Sequence, residues 1–387
     1  MISAILNSVL FGKLSITDRE VCIGCNLISG IGAARFAKLC EVVSTPSEIP
    51  ELDRSDLMQI PGFGAMLAEK IVSFDWDAEV GRELSVAERG GVRILTRFDE
   101  GYPEVLRHIY DPPLVLYVRG NLPEFPDNAV AIVGSRRVSR YGEEMTAMLA
   151  REAAAAGFTV VSGLALGVDS IAHRAVVESS GVTVGVIGAG LLHLHPKENI
   201  PLARDIVQNG GAVVSEFPFD MPVSRQNFPR RNRIAAGLCR GTIVVEAGVD
   251  SGALITARLA LESGRDVFAV PGRVDNPQAR GCHKLIKEGA ALIESFDDVL
   301  SAWNCGMLPG FAAVQDEQHA SYAEFSDLNE NEAAVCRLLK EGEASFDMIY
   351  AALDLDAGML SSLLTKLELK LVISQEANKF YRLNIKH

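Results

Sequence analysis

The sequence predicts an α/β protein: a Rossmann-like parallel sheet flanked by an N-terminal helical domain and a C-terminal winged helix. Three observations predict it. Between residues 92 and 302, short apolar runs (AVAIVG, TVVSG, TVGVIG, AVVSEF, TIVVEA, DVFAV) alternate with helix-like stretches such as YGEEMTAMLAREAAAAG and GALITARLALESG. That alternation is the pattern of βαβ units. The runs are apolar throughout, as in strands covered on both faces. Finally, 387 residues leave room for two or three domains at ~100–200 residues each.

Taken in order, residues 1–88 read as helical. Leu27-Ile-Ser-Gly-Ile-Gly32 and Ile60-Pro-Gly-Phe-Gly64 each place Gly-x-Gly before an amphipathic stretch, AARFAKLC and AMLAEKIV. This is the hairpin of a helix-hairpin-helix (SAM-like) domain. Glycine permits the tight turn and leaves backbone N–H groups bare at a helix start. Such a start can hold a DNA phosphate. The nearby acids Glu48, Glu51, Asp53 and Asp56 equally suit a turn used for packing alone. Residues 89–302 form the α/β domain, with VRILT and LVLYVRG ahead of it as added edge strands. Residues 303–326 lack periodicity and read as a linker. In 327–387, Asn329 caps one expected helix, Gly342 ends it, two more follow, and strands surround Glu376-Ala-Asn378. Three helices and a hairpin make a winged helix. With ten acids against seven bases in that span, docking to protein or structural support fits it better than reading DNA.

Composition narrows the function. Apolar residues make up 48% and charged residues 22%, close to the globular average. No apolar run approaches the ~20 residues of a membrane span, and the first residues have no signal-peptide pattern. The expected location is the cytoplasm. Seven scattered cysteines fit a reducing compartment. Cys22 and Cys25 form a lone C-x-x-C without a second pair and are read as packing residues. The net charge of −13 argues against a globally basic nucleic-acid binder. Local clusters can override it, because phosphate contacts act over about a Debye length.

The chain contains no G-x-x-x-x-G-K-[ST], no H-E-x-x-H and no G-x-S-x-G. Gly188-Ala-Gly190 lacks the third glycine of a dinucleotide fingerprint. What is present gathers at strand ends, where open α/β sheets bind ligands. Gly134-Ser135-Arg136, Ser162-Gly163 and Ser251-Gly252 offer small residues and free N–H groups suited to anions. The densest signal is RQNFPRRNR, residues 225–233. Here Arg225, Arg230, Arg231 and Arg233 stand beside Phe228 and Asn232 with no acid among them. Arginine neutralises phosphates, and an aromatic ring can stack on an unpaired base. With Arg136, these arginines are expected to line one electropositive channel. The same arginines could instead pair with Glu216, Glu246 or Asp250, and Asn232 and Arg233 are expected to begin a buried helix. Asp169 and His173, four apart, share a helix face. A structural hydrogen bond suits them better than catalysis or metal binding. Glu216 and Glu246 could serve as acid and base, with pairing to the arginines as the alternative.

These residues, in this order, resemble the DNA-processing protein A (DprA, also called Smf) family over about residues 92–302. The motifs are Tyr102-Pro103, Val133-Gly-Ser-Arg136, Ser162-Gly-Leu-Ala-x-Gly-Val-Asp169, Ala172-His173, Ser215-Glu216, Phe228-Pro-x-Arg-Asn-Arg233, Val245-Glu246-Ala247, Ser251-Gly252, Thr256-Ala257 and Val270-Pro-Gly272. The resemblance implies an extended Rossmann fold that binds and protects single-stranded DNA. It further implies loading of RecA onto that DNA in natural transformation, and a homodimer formed through the α/β domain. No enzymatic activity, cofactor, metal or membrane is implied. It carries the family's DNA-binding positions onto Ser135, Arg136, Phe228, Arg231, Asn232 and Arg233. Two positions depart from the family pattern: His195 before Pro196, and His283 where the family has Asn. The latter puts one pocket hydrogen bond in doubt. The fold also resembles that of phosphoribohydrolases, which makes a nucleotide enzyme or sensor the alternative. Their Pro-Gly-Gly is missing from Val244-Val-Glu-Ala-Gly-Val-Asp-Ser-Gly252.

Overall fold

The computed structural model describes residues 16–125, 128–303 and, with gaps, 331–383. The chain divides into two compact units, Met1–Phe311 and Ala312–His387.

Among the described residues, the α-helices ahead of the sheet are α1 (Asp18–Leu27), α2 (Ala33–Glu41), α3 (Arg54–Gln59), α4 (Ala65–Val72) and α5 (Trp76–Gly90). Thr17 and Glu20 close a capping box on α1, as Asp53 and Asp56 do on α3, satisfying N–H groups that a helix start leaves open. The two glycine hairpins fall where expected. Gly30 and Gly62 take φ +107° and +93°, a region that disfavours a Cβ. The hairpins brace each other: Lys38 Nζ donates to the Pro61 carbonyl (2.8 Å) and Lys70 Nζ to that of Ser29 (3.3 Å). Cys22 and Cys25 are buried in this core and free of disulfides. Burial pushes the Cys22 thiol up to about 12, so the pair packs, as read.

The sheet follows. In chain order come β1 (Val92–Thr96), α6 (Glu104–Arg107), β2 (Val115–Gly120), β3 (Ala129–Val133), α7 (Arg140–Ala155), β4 (Thr159–Ser162), α8 (Val168–Glu178) and β5 (Thr183–Val186). After these come α9 (Ile200–Gln208), β6 (Ala212–Ser215), α10 (Asn227–Gly237), β7 (Gly241–Val244), α11 (Gly252–Glu262), β8 (Asp266–Ala269), α12 (Arg280–Lys287), β9 (Ala291–Leu292) and α13 (Phe296–Ala302). The nine strands lie in the order β1-β2-β6-β5-β4-β3-β7-β8-β9. β3 to β9 run parallel, while β2 is antiparallel to both β1 and β6. β3 to β7 are buried along their whole lengths, which is why their sequences do not alternate. LVLYVRG is thus an interior strand, and of the two expected edge strands VRILT alone lies at an edge. The short β9 forms the other edge and is exposed at both residues.

The helical region shares one core with the sheet edge: Val21, Phe36 and Ile71 cluster with Val115, Tyr117 and Phe219. Polar contacts cross the same seam. Asn26 Nδ2 donates to the Glu216 carbonyl (3.1 Å), Arg19 Nη2 to that of Ile94 (2.7 Å), and the Phe219 amide to Glu83 Oε1 (2.9 Å).

In the second unit, β10 (Ala344–Ser345), α14 (Phe346–Ala352), α15 (Ala357–Leu369), β11 (Ile373–Gln375) and β12 (Phe380–Leu383) give a three-stranded sheet in the order β10-β12-β11. Leu360, Leu364 and Leu367 of α15 pack with Ile349 and Ile373. The expected cap at Asn329, the stop at Gly342, the turn at 376–378 and the linker beyond Trp303 lie outside the described residues.

Candidate nucleic-acid interface

From β3 the chain moves outward through β4, β5 and β6, then returns to β7 on the other side of β3. Such a reversal leaves a crevice at the carboxyl ends of the strands. A cavity of about 530 Å³ lies there. Gly134, Ser135 and Arg136 reach it from the end of β3, Gly163 from β4, Ser251 and Gly252 from the start of α11, and Phe228, Arg231 and Asn232 from α10. Two eleven-residue helices, α10 and α11, thus bring their first turns to the cavity wall. Helix starts carry partial positive charge.

The hydroxyls serve the scaffold. Ser135 Oγ donates to the Arg137 carbonyl (2.8 Å) and accepts from the Arg137 amide (3.0 Å), closing the loop on itself. Ser162 is fully buried, donates to the Ile132 carbonyl (2.6 Å) and lies outside the cavity lining. Ser251 caps α11 through the Ala253 amide (3.3 Å). Gly167, at φ +81°, lets the chain pass so close to the Ser135 carbonyl that any Cβ there would collide with it.

The arginines do not line one channel. α10 begins at Asn227, five residues before the expected start at Asn232, with Pro229 in the first turn, where its missing N–H costs nothing. Residues three apart share a helix face, so the basic run splits. On the cavity side, the Arg136 guanidinium lies 5.1 Å from the Phe228 ring centroid, and Arg136 is exposed. Arg231 lines the cavity at only 5% exposure and donates from Nη1 to the Val186 carbonyl. Its charge opposes the upward push of burial on the Asp169 carboxyl, while burial lowers Arg231 itself. On the other side, Arg233 bonds Glu216 and also approaches Asp111 (3.0 Å). Arg230 stands 3.6 Å from Glu216 and 5.0 Å from the Phe217 centroid. Burial raises the Glu216 pKa, with Arg233 and Arg230 pulling the other way. Arg225 is exposed just ahead of α10, outside the cavity lining.

Glu246 pairs with none of these arginines. It accepts from the Ser139 amide (2.9 Å) and hydroxyl (2.6 Å). Asp250 sits on the cavity wall. Asp169 and His173 do not bond each other. His173 Nδ1 meets Thr183 Oγ1 at 2.7 Å, and burial drives the ring down to about 3, leaving it neutral. Asp169 Oδ2 accepts from the Ala165 amide (3.4 Å). Among the described residues no group of three or more His, Cys, Asp or Glu is placed to hold a metal. His283 meets the Gly272 carbonyl at 2.9 Å and so ties α12 to the loop after β8. Sequence reasoning missed Arg280, which lines the cavity from the start of α12. Its signal was a lone cation directly before the glycine of Gly281-Cys-His.

Fold and site together define a doubly wound α/β protein with a basic, aromatic-flanked crevice at its strand-order switch. Residues 93–304 match the family model of DNA recombination-mediator protein A, and residues 27–74 that of the SAM-like helix-hairpin-helix tandem. The chain is 37% identical over 290 residues to Protein Smf of Escherichia coli (strain K12), covering 75% of this chain and 76% of that one. It is similar to the X-ray structure of DprA from Streptococcus pneumoniae, at TM-score 0.63 and 36% identity over 74% of this chain and 98% of that one. It also matches DprA from Helicobacter pylori, a structure described for its single-stranded DNA binding mode, at TM-score 0.50 and 30% identity over 55% of this chain and 95% of that one. The chain belongs to the DprA/Smf family of DNA recombination-mediator proteins. Among the described residues, no helix is long and apolar enough to cross a membrane.

Proposed function

We propose that this protein binds single-stranded DNA in the crevice between β3 and β7, and there protects incoming strands and loads RecA onto them in natural transformation. The observation that carries the binding reading is Arg136 over Phe228 at the cavity. A phosphate meets the guanidinium and an unpaired base meets the ring, an arrangement every base can use. Membership of the recombination-mediator family and likeness to a DprA studied for its single-strand binding mode support it. RecA loading and the homodimer rest on the family resemblance, and the cytoplasmic location on composition and the scattered cysteines.

Fluorescence anisotropy with a labelled single strand and its duplex tests the reading. The single strand should bind in preference. Arg136→Ala should weaken it about tenfold, in line with roughly 1.5–3 kcal/mol for a hydrogen bond between charged groups. With ~3–4 phosphates neutralised, log affinity should fall against log salt with a slope of roughly −2 to −3. A flat salt response would sink the proposal. Free base released from nucleoside monophosphates would favour a nucleotide hydrolase instead.

A further inference from the structure

Two carboxylates stand on the wall of the crevice, Asp169 and Asp250. Asp169 belongs to the scaffold: it is buried, accepts from the Ala165 amide (3.4 Å) and feels the Arg231 charge. Asp250 is exposed in the turn between β7 and α11, and its carboxylate has no hydrogen bond or ion pair among the described residues. A second side chain on this wall is also without a partner. The Gln278 backbone is held, its carbonyl accepting from the Ala247 amide (2.7 Å) and its amide donating to Asn276 Oδ1 (2.9 Å). Its carboxamide is bonded to nothing among the described residues. Gln278 Oε1 lies beside Gly248, 3.8 Å from where an added Cβ would stand, and Gly248 is two residues before Asp250.

An unpaired carboxylate in a cavity that takes phosphate weakens binding unless the strand brings it a donor. The cavity holds about 530 Å³, a volume that encloses one small ligand. The phosphate, ring and base edge of one nucleotide therefore share the walls formed by Arg136, Phe228, Asp250 and Gln278. Base edges differ in what they offer. Cytosine presents its N4 amino group beside the N3 acceptor, and adenine its N6 amino group beside N1. Thymine presents one N3–H between two carbonyl oxygens. A carboxylate accepts from an amino group and is repelled by a carbonyl oxygen. Stacking on a ring is indifferent to these edges, so discrimination between bases has to come from the polar wall.

We propose that Asp250 is a specificity-determining residue of this site, favouring bases with an amino group on the pairing edge over thymine; this rests on the strand binding proposed above. With cytosine, the Asp250 carboxylate accepts from the N4 amino group. The Gln278 carboxamide, which has both a donor and an acceptor, donates to N3. The same negative charge keeps a phosphate away from the start of α11 and leaves it to Arg136.

The test compares labelled oligodeoxycytidylate and oligothymidylate of equal length on wild type and on Asp250→Ala. Asp250 is exposed, and circular dichroism checks the fold. Wild type should bind the cytidylate about fivefold more tightly, at the low end of what one base-edge contact discriminates. In the variant the ratio should fall to about one, with thymidylate binding more tightly than it does to wild type. An oligomer of the 2-pyrimidinone deoxynucleoside, which lacks the amino group without added bulk, should bind wild type more weakly than the cytidylate. Equal affinity of wild type for cytidylate and thymidylate, or an unchanged ratio in the variant, would overturn the assignment. So would tightening of both strands by the same factor, since Asp250 would then act on phosphates alone. Failure of wild type to bind any of the strands at low salt would overturn strand binding itself, so the two failures are distinguishable.

Discussion

Gly163 and Arg231 compete for the same space. A Cβ at residue 163 would fall within the Arg231 guanidinium, so Gly163→Ala must push that side chain off the Val186 carbonyl. Overpacking of this kind costs about 1–3 kcal/mol, and the urea midpoint should fall accordingly; an unchanged midpoint would show that the guanidinium can move freely. Arg231→Ala is a poor probe of binding for a related reason. It removes the charge that opposes burial of the Asp169 carboxylate, and an uncompensated buried charge destabilises the fold. Arg136 is exposed, so its loss reads out as affinity with stability intact.

At the scale of elements, the seam between α5 and β2 has a pH signature. Glu83 of α5 is 8% exposed and accepts from the Phe219 amide, beside the buried Tyr117 of β2. Burial raises its pKa, with the Phe219 hydrogen bond opposing. A carboxyl raised on folding favours the folded state below its unfolded pKa, and that contribution is lost as pH rises through the folded value. Glu83→Gln keeps an acceptor for the amide and removes the titration. The variant should match wild type in urea at about pH 4 and gain on it towards about pH 7. A constant difference across that range would mean that Glu83 does not titrate in the seam. α10 carries the other lesson at this scale. Its composition shows a basic cluster, but its three-residue spacing sends Arg230 and Arg233 to Glu216, away from Arg231 and Phe228.

Over the whole molecule, excess negative charge and a basic crevice coexist because screening confines each to its neighbourhood. The acidic remainder should disfavour stray duplex binding. All residues assigned here to strand binding belong to the first unit. Deleting residues 327–387 should therefore leave single-strand affinity within about twofold, a small change against the tenfold expected per 1.4 kcal/mol. A collapse of affinity in a truncated chain that still folds would make the second unit a DNA contact.

Much of this was legible in the chain itself. β3 to β8 each announce themselves as an uninterrupted apolar run, because a strand buried on both faces has no polar side to show. The glycine hairpins at Gly30 and Gly62 are equally local, since a positive φ excludes most other residues. Loops at strand ends could be listed, and the Gly134–Arg136 and Ser251–Gly252 loops do meet at one cavity. The tertiary structure alone decided that β2 lies inside the sheet, that α10 buries Arg231 and pairs Arg233, and that Asp250 and Gln278 share one cavity with Phe228. Periodicity records how a residue meets its own helix or strand. Strand order, and with it which distant loops become neighbours, is set by pairing between segments far apart in the chain, and no local pattern carries that information.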